Sequence, residues 1–362
     1  MGRFAFYAPL KPPTHPTPSG DRQMARALMA ALGDVDLVSE LRLYDGAGDA
    51  ALQSDLQNQA NAEAERLIAV GSKWQAWVTY HNYYKAPDIL GPRVSRALNI
   101  PYIQIESTRS LKRLTGPWAK FAALSEAASD HADLIFYFTD RDFVALEQHK
   151  PALQTLTKLH PFLPIKTLPK AALLDSKTIL TVAMLRAGDK QASYEIIAQT
   201  LPLLTTPDWH LNIAGDGAAA AQIKSLFAPF KDRITFLGQL DRAGLTAAYQ
   251  HASALLWPGV NEAFGMVYLE AQAAGVPVVA QDRMGVRDVV HPDGLVPAEK
   301  GAAGMAKSLD NLLRSRTQTQ SRGNTARDFV LQNHLLDTAN GVLLTGVERL
   351  LAGPKRPQPD IA

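Results

Sequence analysis

Pro258–Ala280, PGVNEAFGMVYLEAQAAGVPVVA, reads as a loop, a helix and a strand in immediate succession. The apolar run Ala254–Trp257 before it is a strand ended by Pro258–Gly259. A helix opens at Phe264–Gly265 and runs to Ala274, and Val276–Ala280 is the next strand. Glu262 therefore lies just ahead of a helix N-terminus, with Glu270 about a turn and a half inside it. Gly265 lets a ligand approach the backbone closely. The N–H groups of Gly265, Met266 and Val267 have no intrahelical acceptor and together form an anion site. A phosphate at that end, with carboxylates alongside for hydroxyls, is what a nucleotide-sugar demands. For Glu262, an acidic first turn favoured by the helix dipole is an equally good explanation. Glu270 sits among apolar neighbours, where burying a carboxylate without a purpose is costly, and this favours a function.

Outward from this segment, strands alternate with helices. On the N-terminal side Arg3–Ala8, Val35–Leu41, Ala76–His81, Tyr102–Glu106 and Leu134–Phe138 read as strands, with helices at about Ser19–Leu32 and Ala50–Val70. His160–Lys170, HPFLPIKTLPK, carries three prolines without helical period and reads as a linker within a break near 150–177. A second set follows: strands Thr178–Leu185, His210–Ala214 and Ile234–Leu237, helices Gln191–Leu204, Ala218–Phe227 and Ala243–His251, and three helical segments from about Ala303 to Leu351. This order predicts two doubly wound parallel α/β domains with a site between them. The expected division is 1–165, 166–335, and a C-terminal helix and tail at 336–362, with the helix packing back on the first domain.

The segment resembles the signature of retaining glycosyltransferases of family four: Glu262 and Glu270 match their Glu-x7-Glu pair, and Ala273–Ala280 their AxGxPVVA strand. The match covers about 178–300 well and the first half more loosely. The resemblance implies a GT-B fold, two Rossmann-like domains facing across a cleft, and transfer of a sugar from a nucleotide-sugar, with a prior for UDP and with retention of configuration. It also implies that Glu270 holds the ribose hydroxyls, Glu262 faces the transferred sugar, and the amides of Phe264, Gly265, Met266 and Val267 take the diphosphate.

Thr181–Tyr194, TVAMLRAGDKQASY, places Arg186 and Lys190 on a strand-to-helix loop, where cations can face a leaving diphosphate. Lys190 fits the family lysine. Met184 occupies the family arginine position, and Arg186 sits two residues downstream. A solvated loop with Asp189 paired beside it is the plainer reading. Ile213–Ala220, IAGDGAAA, follows a strand. In the family a GxG here borders the base pocket, which suits Gly215 and Gly217, while a tight turn explains it equally well. The formal G-x-G-x-x-A match also suggests a nicotinamide enzyme, but the motif follows the second strand of its domain rather than the first. In the N-terminal half, Pro18–Arg22 (PSGDR) resembles the family's glycine-bearing loop with Gly20 toward the diphosphate, Ser19 being alternatively an N-cap. His81 ends a strand facing the expected cleft as an acceptor-side or a merely structural residue. Glu106 ends another, near where the family carries a histidine, and is a catalytic candidate by position. With no enzyme nucleophile evident, a front-face displacement, its diphosphate stabilised by Lys190, Arg186 and the helix end, is the simplest mechanism.

The 362 residues carry a net charge of +2, too mild for nucleic-acid binding, and no cysteine, which excludes disulfides and thiolate metal sites. No His/Asp cluster has metal-ligand spacing, so no metal and no cofactor beyond the donor are expected. The N-terminus has no signal-peptide pattern and no 18-residue apolar run exists, so a cytoplasmic protein is expected. Lys85–Phe121 holds seven Lys or Arg (Lys85, Arg93, Arg96, Arg109, Lys112, Arg113, Lys120) against Asp88 and Glu106. Leu111, Leu114, Trp118 and Phe121 recur among the cations of 109–121, so one reading is peripheral attachment to the inner face of the plasma membrane and a lipid or lipid-linked glycan acceptor. The other makes those apolar residues core and the cations a solvated rim. An epimerase or hydrolase acting on the same donor without an acceptor shares the Glu pair and is the alternative activity.

Overall fold

The computed structural model describes residues 3–16, 19–71 and 73–353. Pro18, at the head of the first-loop motif, and the proline-bearing tail beyond Gly353 lie outside the described residues. The chain divides into two units, one running to His160 and resuming at Leu336, the other spanning Pro161–Leu335. The first boundary thus falls five residues before the expected 165/166.

The first unit comprises β1 (Arg3–Tyr7), α1 (Gly20–Leu32), β2 (Val35–Ser39), α2 (Ala50–Val70), β3 (Trp74–Tyr80), α3 (Leu90–Leu98), β4 (Tyr102–Ile105), α4 (Ala119–His131), β5 (Leu134–Tyr137), α5 (Asp140–His149) and β6 (Thr155–Lys158). All strands are parallel, in the order β2-β1-β3-β4-β5-β6. β1 lies inside the sheet between β2 and β3, and its Phe4–Tyr7 run is buried throughout, as a strand covered on both faces must be. α2 shows how a largely polar sequence makes a long helix. Asp49 caps it by accepting from Ala51 and Leu52 N–H, and Leu56, Ala60, Ala64 and Leu67 form one buried stripe.

The second unit comprises β7 (Thr178–Val182), α6 (Asp189–Thr200), β8 (His210–Ala214), α7 (Ala220–Leu226), β9 (Ile234–Gly238), α8 (Arg242–Gln250), β10 (Ala254–Leu256), α9 (Met266–Ala273), β11 (Val278–Asp282), β12 (Leu295–Pro297), α10 (Gly301–Arg314) and α11 (Arg316–Asn333). Its sheet order, β12-β11-β10-β7-β8-β9, is the Rossmann order, whereas the first unit has the flavodoxin-like order extended by one strand. The last helix, α12 (Leu336–Ala352), belongs to the first unit, where Asn340 Nδ2 donates to Ala31 O at the end of α1.

The supposed break near 150–177 is in part structured. Thr155–Lys158 pairs with β5 as an edge strand, although TLTK has too little apolar pattern to announce one. The supposed linker is packed too: Phe162 is fully buried, and Leu163 N–H donates to His334 O.

Candidate active site

In each sheet the strand order reverses at one point, and ligands of such folds bind outside the carboxyl ends of the strands flanking it. In the second unit that point lies between β7 and β10. The loop leaving β10 uses three left-handed residues, Gly259 (φ 76°), Asn261 (φ 50°) and Gly265 (φ 81°). The first and last must be glycine, because a Cβ at either would strike the Tyr268 ring or its hydroxyl. Tyr268 in turn donates its O–H to Trp257 O at 3.1 Å.

This loop presents Glu262. Its Oε1 accepts from Trp257 Nε1 at 2.9 Å and from Lys190 Nζ, and the ammonium lies 5.2 Å from the centre of the Trp257 ring. Lys190 stands in the first turn of α6, opened by Gly188 at φ 78°. Two further bonds tie that turn to the loop: Val260 N–H to Ser193 Oγ at 3.0 Å and Asn261 Nδ2 to Asp189 Oδ1 at 2.9 Å. The plainer reading of a solvated loop with Asp189 in an ion pair is corrected, since Lys190 pairs with Glu262 and Asp189 holds Asn261. Arg186 is exposed and is not drawn into this network.

α9 begins at Met266, with Gly265 as its N-cap residue, so the amides of Gly265, Met266 and Val267 occupy the end that lacks intrahelical acceptors, with Phe264 just ahead. Glu270 is half-buried, and its Oε2 accepts from Tyr249 O–H at 3.0 Å. Burial pushes the Glu270 carboxyl above its usual range, against the opposing pull of Tyr249 and Arg242. Gly215 (φ 143°) and Gly217 (φ 158°) have a packing reason of their own: a Cβ on them would fall on the carbonyls of Ala183 and Leu185. That close passage is laced by Leu185 N–H to Asp216 O at 3.0 Å and Ala219 N–H to Leu185 O at 2.9 Å.

The first unit reverses between β1 and β3. His81 and Glu106, immediately after β3 and β4, both take left-handed backbone conformations, φ 66° and 55°. Non-glycine residues rarely do so, and such positions cluster at functional sites. His81 Nδ1 lies 3.5 Å from Asp21 Oδ1 and 4.0 Å from Glu106 Oε2, while Lys11 Nζ donates to Asp21 Oδ2. His81 Nδ1, Glu106 Oε2 and Tyr80 O–H are buried, with Tyr80 set against Glu106 and His81 against Asp21. Burial lifts the Glu106 carboxyl to about 7, overcoming the opposing charge of His81. Burial alone would depress the His81 imidazole, but Glu106 and Asp21 raise it above its usual value. Asp21 is pushed up by burial and then held well below the carboxylate range by His81 and Lys11.

Gly20 opens α1 beside this cluster, with open space where a Cβ would stand. Ser19 makes no capping bond, and its Oγ donates to Asp21 Oδ2 at 3.4 Å. Sequence reasoning missed Lys11, the Asp21 carboxylate, Tyr80 and the Trp257 indole. Only the position of Asp21 in the first turn of α1, inside the quoted loop, was a visible signal.

Two members of the basic, aromatic stretch are corrected. Arg109 has a side chain 3% exposed and is consumed by Glu126 (2.9 Å) and Asp130 (2.6 Å), and Phe121 is fully buried. Leu111 and Leu114 remain exposed. A cavity of about 1770 Å3 also opens in this unit, but its lining of Gln75, Pro101, Leu134, Thr155 and α12 residues places it at the amino ends of the strands, opposite the end that carries His81 and Glu106.

The chain resembles the sucrose-phosphate synthase of Thermosynechococcus elongatus with a TM-score of 0.70 at 18% identity, over 97% of this chain and 100% of that one. It resembles Anabaena Alr3699/HepE in complex with UDP-glucose with a TM-score of 0.68 at 15% identity, over 96% and 100%. The fold is thus GT-B, the two-unit α/β architecture of glycosyltransferases. More particularly, residues 176–315 match the family model of the glycosyl transferases group 1. A phosphatidyl-myo-inositol mannosyltransferase of Mycobacterium leprae is 37% identical over 146 residues, a match that spans 38% of this chain and 38% of the relative's own length. Among the described residues no helix is long and apolar enough to cross a membrane.

Proposed function

We propose that the protein is a glycosyltransferase that moves a hexosyl group from a nucleotide-sugar, a UDP-sugar in the first instance, to a hydroxyl of an acceptor with retention of configuration. The observation that carries this reading is the arrangement at the β7/β10 switch point, where Glu262 is fixed by Lys190 and Trp257 and Glu270 is half-buried in the adjoining helix. All four residues lie within the segment that matches group 1 glycosyl transferases.

The second unit takes the donor. Glu270 accepts from the ribose hydroxyls, the amides of Phe264–Val267 face the diphosphate, Glu262 orients the sugar, and Lys190 turns to the phosphate when the donor arrives, with Arg186 near it. The acceptor oxygen bonds to the anomeric carbon as the bond from that carbon to the diphosphate breaks. The hydroxyl proton passes to the departing phosphate oxygen, so a glycoside and a nucleoside diphosphate result. Glu106 and His81 in the first unit, whose side chains keep 11% and 19% of their surface exposed, hold the acceptor hydroxyl. The name of the mannosyltransferase relative supports a lipid or lipid-linked acceptor met at a membrane surface.

Glu270→Ala tests the donor assignment. Hydrogen bonds to a charged group contribute ~1.5–3 kcal/mol each, so UDP affinity should fall roughly tenfold or more, with the melting temperature little changed. Equal UDP affinity in wild type and variant, read by calorimetry, would remove the ribose role. A panel of nucleotide-sugars, run with and without acceptor, separates transfer from hydrolysis or epimerisation.

A further inference from the structure

A continuous series of aromatic rings leaves the His81 cluster. The His81 and Tyr83 rings are 5.1 Å apart, Tyr83 and Tyr84 5.5 Å, and Tyr84 and Trp118 5.8 Å. At its far end two cations crowd one pair of rings. Lys85 Nζ stands 5.0 Å and the Arg113 guanidinium 5.4 Å from the centre of Trp118, and both also lie over Tyr84, at 5.8 and 5.1 Å. Among the described residues no carboxylate pairs with either cation, and Arg113 Nε is buried without an acceptor. The neighbouring Asp45 does not neutralise them. Its carboxylate is spent on the N–H groups of Ala47, Gly48 and Asp49 and on Gln53.

Two like charges gathered on one indole repel each other, and an anion between them offsets that repulsion. The aromatic faces hold the cations in place, and a guanidinium beside an ammonium is suited to a phosphate or carboxylate. Partly exposed Tyr83 and Tyr84 offer an amphipathic surface for the ring of a sugar or polyol on the way to His81.

We infer that the acceptor is anionic: a saccharide or polyol bearing a phosphate or carboxylate, held by Lys85 and Arg113, with its reacting hydroxyl led along Tyr84 and Tyr83 to His81 and Glu106. The inference rests on the glycosyltransferase reading above and names the class of its acceptor. The anion is either part of a soluble saccharide or the phosphate of a lipid headgroup.

The test is equilibrium binding to the full chain at about 0.15 M salt, where screening removes weak long-range attraction. The probes are glucose, glucose 6-phosphate and glucuronate, with vesicles of phosphatidylglycerol or of phosphatidylcholine, and with UDP titrated in parallel. Glucose 6-phosphate or glucuronate, or phosphatidylglycerol vesicles over phosphatidylcholine, should bind at least roughly tenfold more tightly than the neutral counterpart. Lys85→Ala with Arg113→Ala should erase that preference while leaving UDP binding within about twofold, since neither residue belongs to the donor site. A preference seen with the soluble probes assigns the anion to a saccharide, and one seen only with vesicles assigns it to a headgroup. If charged and neutral probes bind alike, or none binds, while UDP still does, the inference fails and the glycosyltransferase reading stands. If wild type binds no UDP, the reading itself fails and the acceptor class with it.

Discussion

The switch points of the two sheets solve one problem, placing acidic groups at strand ends, in opposite ways. In the second unit the acids lie eight residues apart on one strand–loop–helix segment, and Glu262 is neutralised by the Lys190 ammonium. In the first unit Asp21, His81 and Glu106 come from three separate places in the chain and meet through the parallel pairing of β1, β3 and β4. There the charges are imperfectly matched: Glu106 is buried at 4.0 Å from His81, and burial pushes its carboxyl up to about 7. A local motif sets its carboxylate against a cation from the neighbouring helix. A convergent cluster on strained backbone holds a proton that responds to pH.

The largest effect should come from breaking the neutral pair. Lys190→Met removes the cation that neutralises Glu262 and, in the proposed chemistry, the departing diphosphate. Removing one preorganised donor of this kind costs about 10²–10³ in turnover, so donor consumption should fall by that factor. A fall of less than about fivefold, measured as UDP release at saturating donor, would reduce Lys190 to a structural partner of Glu262.

The first-unit cluster should answer to pH instead. The folded chain binds the Glu106 proton more tightly than the unfolded chain does, so this contribution is present at about 4.5 and lost as pH rises through about 7. The raised His81 imidazole acts in the same direction, its contribution fading as pH climbs through its own elevated value. Glu106→Gln should therefore gain on the order of 2–3 kcal/mol at pH 8 and little at pH 5, read from urea midpoints of the transition that reports this unit. An equal gain at both values would mean that the carboxyl is not held protonated by burial.

The smallest effect separates glycines that look alike in sequence. Gly215→Ala should cost about 1–3 kcal/mol, because the new methyl meets the Ala183 carbonyl. Gly20→Ala enters open space at the start of a helix and should leave stability equal or raise it by ~0.4–1 kcal/mol. If Gly20→Ala nonetheless weakens donor turnover, the glycine serves close approach of a ligand. Loss of stability instead would give it a purely structural part.

How much could be read in advance follows this division. The α/β alternation, most element positions and the Glu262/Glu270 segment were legible, because period, proline and glycine act within a few residues of chain. Edge strands β6 and β12 were not: TLTK and LVP have no pattern of their own and become strands only by pairing. Arg109 read as a surface cation, yet it is buried because Glu126 and Asp130, one turn apart on α4, both pair with it.

The sequence by itself determined a parallel α/β fold in two parts and one acidic, glycine-bearing helix entrance, since these depend on neighbours along the chain. Only the tertiary structure decided that Lys190 answers Glu262 rather than Asp189, and that Lys11, Asp21, His81 and Glu106 share one charge balance. It also decided that Lys85 and Arg113 stand over the same indole. Charge interactions fall off with distance in space, and parallel strand pairing brings together residues far apart in sequence.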